Sequence, residues 1–214
     1  MYLTPSDMQA IEARVAALEK DLGLQVVTMV VAKSDVYPET VWKAFALGSA
    51  MTALVVAAGE ILRSEWSTPG AVLASVVALL AVGAACALAA VHVPGIARLF
   101  LRESRAALEV SHCAKAQFLD RQLFATKQRT AVLVLVSMLE RRVVILADTG
   151  LNAHVSAAEW DAVIARMTAK LRNGATGEAI LDGLDALRGL LAGKKFAHET
   201  GNAFADRPIE EPGA

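Results

Sequence analysis

Between residues 44 and 97 the only Asp, Glu, Lys or Arg side chains are Glu60, Arg63 and Glu65. A helix built from such a stretch has almost no polar face to turn toward water. The first apolar run, "AFALGSAMTALVVAAG", covers residues 44–59 and is continued by Ile61 and Leu62. The second, "AVLASVVALLAVGAACALAAV", covers residues 71–91 inside a charge-free interval from 67 to 97. At 1.5 Å rise per residue a helix crosses about 30 Å of hydrocarbon in ~20 residues, so both runs read as spans. Between them lies "EILRSEWSTPG", where Ser67, Thr68, Pro69 and Gly70 supply a turn and Trp66 suits a bilayer interface. Residues 43–97 are therefore expected to form a transmembrane helical hairpin.

The flanks orient that hairpin. Lys43, Arg98, Arg102 and Arg105 stand outside the spans, against Arg63 in the connecting loop. The positive-inside rule then places both soluble segments in the cytoplasm. The N-terminus "MYLTPSDMQAIEARVAALEKDLG" is acidic and amphipathic and does not have the form of a signal peptide. Cys86 in the second span and Cys113 beyond it are read as unpaired structural thiols of a reducing compartment. With a net charge of −1 and no basic stripe, nucleic acid is excluded as a partner. The expected partners are the lipid bilayer and a membrane-associated protein.

Outside the hairpin, periodicity changes from element to element. Thr4, Pro5 and Asp7 give N-cap, N1 and capping-box positions, Met8, Ile11, Val15, Leu18 and Leu22 form a stripe, and Gly23 ends the helix. "LQVVTMVVA" at 24–32 reads as a strand buried on both faces. Residues 102–129 read as one long helix leaving the membrane. "AVLVLVS" (131–137) and "RVVILA" (142–147), joined by "MLER", read as an antiparallel strand hairpin. Ser156 and Glu159 open a helix with Trp160, Val163, Ile164, Met167 and Leu171 on one face, ending at Asn173 and Gly174. A last helix spans about 176–192, stopped by Gly193, before a polar tail rich in breakers. A strand, a crossover and a strand hairpin give a small mixed sheet with helices on its faces. The membrane hairpin interrupts that crossover.

The run from "FLDRQLFATKQRTAVLVLVSMLERRVVILADTG" through Trp160 to "NAFADRP" resembles the TPM domain, a phosphatase-type domain of thylakoid-lumen, photosystem-repair and receptor-modulating proteins. The resemblance rests on Arg129, Thr130, "VSMLERRVVILAD" (136–148), Trp160, Asn202, Asp206 and Pro208, and covers about residues 115–210. Residues 4–32 match the domain's start more weakly. The resemblance implies an α/β fold, a three-layer α/β/α sandwich with a small mixed sheet, here interrupted by the two-helix transmembrane hairpin. The division is then 1–42 as the first part of the domain, 43–97 as the hairpin, 98–200 as the remainder and 201–214 as a polar tail. It also implies binding of a divalent cation such as calcium or magnesium, and a weak phosphatase activity. The terminal pattern departs from the family's N-E-L-P-D: here it reads Asn202, Ala203, Phe204, Ala205, Asp206.

On these grounds Asp148, Asp206 and Asn202 are the candidate metal ligands, since hard cations take oxygen donors. Asp148 follows a strand, where open α/β sheets bind ligands, and is equally suited to an Asx turn with Thr149 and Gly150. Asp206 is alternatively a solvated partner of Arg207. Arg129 is the candidate phosphate-binding residue, or else a salt-bridge partner. Glu140, Arg141 and Arg142 are expected to be solvated in the hairpin loop, and His154 and His198 to be turn residues. No catalytic residue is assigned. The expected function is a membrane-anchored accessory module, with a metal-dependent phosphomonoesterase as the alternative.

Overall fold

The computed structural model describes residues 2–62, 68–152, 154–194 and 204–213. These make two compact units, residues 1–35 with 106–214, and residues 36–105. The capped helix is α1, Pro5–Leu22, with Thr4 Oγ1 accepting from Asp7 N–H and Gly23 closing it at φ 69°. β1 is Gln25–Val31 and β2 is Ala131–Ser137; every residue of both is buried, and they pair in parallel from Gln25 with Ala131 to Val31 with Ser137. β3, Arg142–Ala147, returns antiparallel to β2.

The alternation of side chains along a strand sorts β1 and β2 into two cores. Val26, Val30, Val132, Val134 and Val136 join Ile11, Val15 and Leu18 of α1. The same core takes Met167 and Leu171 from α7, Ala157–Arg172, and Ile180, Leu184 and Leu187 from α8, Thr176–Leu191. Val27, Met29, Val31, Leu133 and Leu135 face the other way, onto Val110 and Ala114 of α5, Glu103–Asp120, and onto Leu123. The sheet thus lies between two helical layers, the three-layer α/β/α sandwich with a small mixed sheet.

Two features differ from the sequence reading. The helix read over 102–129 stops at Asp120: Gln122 takes a left-handed conformation at φ 53° and Leu123–Ala125 form a 3-10 turn. Ending there lets Leu123 turn onto the sheet, where it is fully buried. The tail supplies a fourth strand, β4, Ile209–Glu211, parallel to β1 with Met29 opposite Ile209. The order is β3-β2-β1-β4. β4 is held by side chains as much as by the ladder. Glu210 accepts the Tyr2 and Leu3 N–H groups at 2.8 and 2.7 Å, and Glu211 pairs with Arg121 and accepts from Gln117 Nε2 at 3.2 Å.

The second unit contains α2, Pro38–Leu62, and α3, Pro69–His92, both long and apolar enough to cross a membrane. A seven-residue helix, α4, Pro94–Phe100, follows. The helix starts at Pro38, ahead of the apolar run. α2 and α3 approach closely at glycines: a Cβ on Gly83 would lie 2.3 Å from Ser49 Oγ and 2.9 Å from the Phe45 ring, and one on Gly48 would lie 2.7 Å from Cys86 Sγ. Small residues at helix crossings of this kind let backbones pack without side chains between them. Replacing Gly83 with isoleucine should therefore overpack the crossing and cost about 1–3 kcal/mol. Isoleucine at Gly59, where a Cβ meets nothing within 4 Å, should be silent. Thermal unfolding of both variants in detergent is the check.

Candidate functional site

Asp148 follows β3, but β3 runs antiparallel to β2, its neighbour in the sheet. Val132 faces Ala147, and Asp148 N–H donates to Ala131 O at 2.9 Å. The aspartate therefore lies at the amino ends of β1 and β2, opposite to the carboxyl ends at which open α/β sheets bind ligands. Its side chain is 4% exposed and faces Arg129, whose Nε is 3.2 Å from Oδ1 and 3.1 Å from Oδ2. Only Oδ1 is aligned with the N–H, and it also accepts the Thr149 N–H at 2.7 Å. Oδ2 is near the cation yet has no directed donor. The Asp148 carbonyl accepts from Leu151 and Asn152, opening the single turn α6, Thr149–Asn152. Gly150 is required there: a Cβ would fall 2.5 Å from Gln128 O and 2.6 Å from Arg129 O.

Arg129 is shaped for this role. It sits at φ 56°, donates from Nη1 to Phe124 O at 3.2 Å, and stands 6.0 Å from the Phe124 ring centroid. A left-handed arginine tied to a buried carboxylate is a strained position held by its surroundings. The residue read as a phosphate binder and the residue read as a metal ligand are thus each other's partner.

Asp206 meets a different residue. Glu19, in the last turn of α1, accepts the Val26 N–H through Oε1 at 2.7 Å, and its carboxyl lies in hydrogen-bonding contact with Asp206. Burial pushes the Glu19 pKa up to about 7; the Val26 hydrogen bond opposes this, and Asp206, by its charge and its hydrogen bond, adds to the rise. The Glu19 carboxyl thereby keeps its proton to a pH at which it would have lost it in water. Asp148 and Asp206 belong to segments adjoining opposite edge strands, three strand spacings or roughly 14 Å apart. Asn202 lies outside the described residues. Among the described residues no three His, Cys, Asp or Glu side chains group as metal ligands do.

The carboxyl ends of the parallel strands carry a second polar group. Glu140, expected to be solvated, accepts the Ser34 N–H through Oε1 at 2.8 Å, and its other oxygen takes the Ser137 hydroxyl. Ser34 Oγ donates to Ser137 Oγ at 3.1 Å. Cys113 faces this cluster: burial, then the charges of Glu140 and Glu211, push its thiol pKa up, with the Ser34 hydrogen bond opposing. A thiol so raised is a packing group, not a nucleophile. Cys86 and Cys113 are both free. Glu140 thereby fixes the chain where it leaves β1. Glu19 was not singled out in the sequence, and Glu140 was read there as a solvated loop charge. Glu19 lies on the polar side of a helix stripe and Glu140 in a charged hairpin loop, so neither carries a local signal.

A sheet with helices on both faces and a cluster of ionisable groups at its amino end defines an α/β domain of a known class. Residues 105–190 match the family model of the TPM domain. Among solved structures, the NMR structure of the BA42 protein from the psychrophilic bacterium Bizionia argentinensis is similar. It is 15% identical, with a TM-score of 0.57 over 99% of this chain and 97% of that one, and shows a shared fold. No curated protein matches in sequence.

Removing Arg129 leaves Asp148 buried without its cation. Arg129→Ala should destabilise the protein by about 1–3 kcal/mol, and adding Asp148→Asn should restore most of the loss. Urea unfolding of the single and double variants distinguishes this from a generic truncation effect. The Glu19 pKa is raised on folding, so its contribution is fully present below the unfolded value near 4.5 and is lost as pH rises through about 7. Glu19→Gln, which keeps an acceptor for Val26 and gains a donor toward Asp206, should melt above wild type at pH 8. The difference should shrink to nothing by about pH 4.5. Thermal melts across that range test it.

Proposed function

We propose that the protein is a membrane-anchored accessory module. Its TPM domain lies on the cytoplasmic side with both soluble segments, and acts on or stabilises a membrane-associated protein partner. The observation that carries this reading is the insertion of two span-length helices into the β1-to-β2 connection of the domain. Leu54, Val55, Ile61, Leu73 and Leu88 on those helices are all more than half exposed, a surface suited to lipid and not to water. The inserted pair enters after Ser34, whose backbone is held by Glu140, and returns as α5 packs onto the sheet. An anchor of this kind joins the membrane to the domain's central strands instead of to a loose terminus. Binding of a partner to the domain then costs little searching, because the anchor already confines both to one surface.

A metal-dependent phosphomonoesterase is the second reading, and the Glu19–Asp206 carboxyl pair favours it. A divalent cation between two such carboxyls would offset their like charge with an ionic bridge. The described residues supply only part of a calcium shell, which takes six to eight oxygens, so no hydrolytic step is assigned to it. Asp148, by contrast, is committed to Arg129, and this supports a structural role for it.

Full-length protein tagged at its C-terminus should co-purify with a defined membrane protein from solubilised native membranes, equally well as wild type and as Asp206→Asn. An empty pull-down would count against the accessory reading. Calcium, magnesium or manganese titrated against thermal stability, with hydrolysis of a generic phosphomonoester followed in parallel, tests the enzyme. A metal-dependent rise in stability and turnover, both lost in Asp206→Asn, would put the enzyme first. External protease that removes the tail from intact cells would overturn the cytoplasmic placement.

A further inference from the structure

The open end of the helical pair carries a collar that neither water nor hydrocarbon satisfies by itself. Lys43, near the start of α2, donates from Nζ to Phe100 O at 3.0 Å and so pins the end of α4 beside the base of the first span. At this junction Trp42 is 70% exposed and Leu99 is 79% exposed. Arg98 and Arg102 flank Leu99 along the chain, and Arg102 is exposed. Glu39, the nearest acidic group on α2, is already bound to Arg105 at 3.0 Å, and the Arg105 guanidinium also stands 5.8 Å from the Tyr37 ring centroid. Over residues 38–43 and 94–105 the cations Lys43, Arg98, Arg102 and Arg105 outnumber the acids Glu39 and Glu103.

Large apolar side chains beside cationic ones suit the boundary layer of a bilayer. There the rings and aliphatic stems sink toward the acyl chains and the guanidinium groups reach the phosphates. A zwitterionic surface satisfies the apolar part only. We propose that Trp42, Lys43, Arg98, Leu99 and Arg102 form a binding surface for anionic phospholipid headgroups. This surface rests on the membrane-anchored reading above and deepens it by naming the lipid chemistry.

The Lys43 hydrogen bond to Phe100 braces α4, which carries Arg98 and Leu99, against α2. Bringing arginine to an anionic surface favours association by about fivefold per residue. The test uses full-length protein carrying Trp66→Phe and Trp160→Phe, so that Trp42 alone reports, in nanodiscs of equal phosphatidylcholine and phosphatidylglycerol with bromine on one lipid or the other. Brominated phosphatidylglycerol should quench Trp42 several-fold more effectively than brominated phosphatidylcholine. Arg98→Gln with Arg102→Gln should equalise the two, and Arg98→Lys with Arg102→Lys should retain the preference. Equal quenching in the starting protein, or a preference that survives the double glutamine variant, overturns the headgroup proposal alone. Absence of quenching by either lipid overturns the membrane anchor with it. Millimolar glycerol phosphate in solution should leave the difference unchanged; if it abolishes the difference, the site binds free phosphate and the lipid assignment fails.

Discussion

The parallel pairing of β1 with β2 is the constraint from which the rest of the structure follows. Both strands are buried along their whole length, so each needs helices above and below it. A parallel pair also needs a connection that carries the chain back to the starting end, which a tight turn cannot do. In this protein that connection is residues 32–130, and it contains the two long apolar helices as well as α5. A helical pair whose ends return to one place lengthens such a connection without disturbing the pairing at its base. The apolar helical pair and the domain are thereby parts of one topological solution.

The direction of β3 governs where chemistry is possible. An antiparallel edge strand carries its following residues to the amino ends of its parallel neighbours. It therefore delivers Asp148 to Arg129, at the start of β2, and away from the end where parallel sheets open their ligand crevices. At the crevice end the structure instead puts Glu140, Ser137 and Ser34, and these groups spend their hydrogen bonds on one another and on the backbone. The polar residues at both ends thus act first as fasteners of chain segments that the sheet alone does not hold. Glu19 with Asp206 differs, because like groups in contact gain nothing unless a proton or a cation lies between them.

Much of the fold was readable from local pattern. The capping boxes of α1 and α7, the limits of β2 and β3, and Gly193 with φ 82° after α8 all follow from short-range rules that the structure obeys. The long helix over 102–129 was misread because nothing in its sequence breaks it. Gln122 turns left-handed only because Leu123 gains a place in the core beneath α5. β4 was invisible for the complementary reason. Three residues of mixed polarity have no periodicity, and they are a strand because β1 offers them an open edge and Tyr2, Leu3, Gln117 and Arg121 hold their carboxylates.

What the sequence by itself determined is what depends on spacing along one segment: the apolar helices, the strand pair and the caps. These are set by 3.6-residue and two-residue periods and by the absence of charge, all of which are local. The tertiary structure decided which ionisable groups meet. Arg129 and Asp148 are nineteen positions apart, and Glu19 and Asp206 lie near opposite ends of the chain. Their encounters are fixed by strand direction and strand order, which no window of sequence contains. The candidate ligands could be named from the sequence, but their partners could not, because a side chain's electrostatic role depends on its neighbours in space.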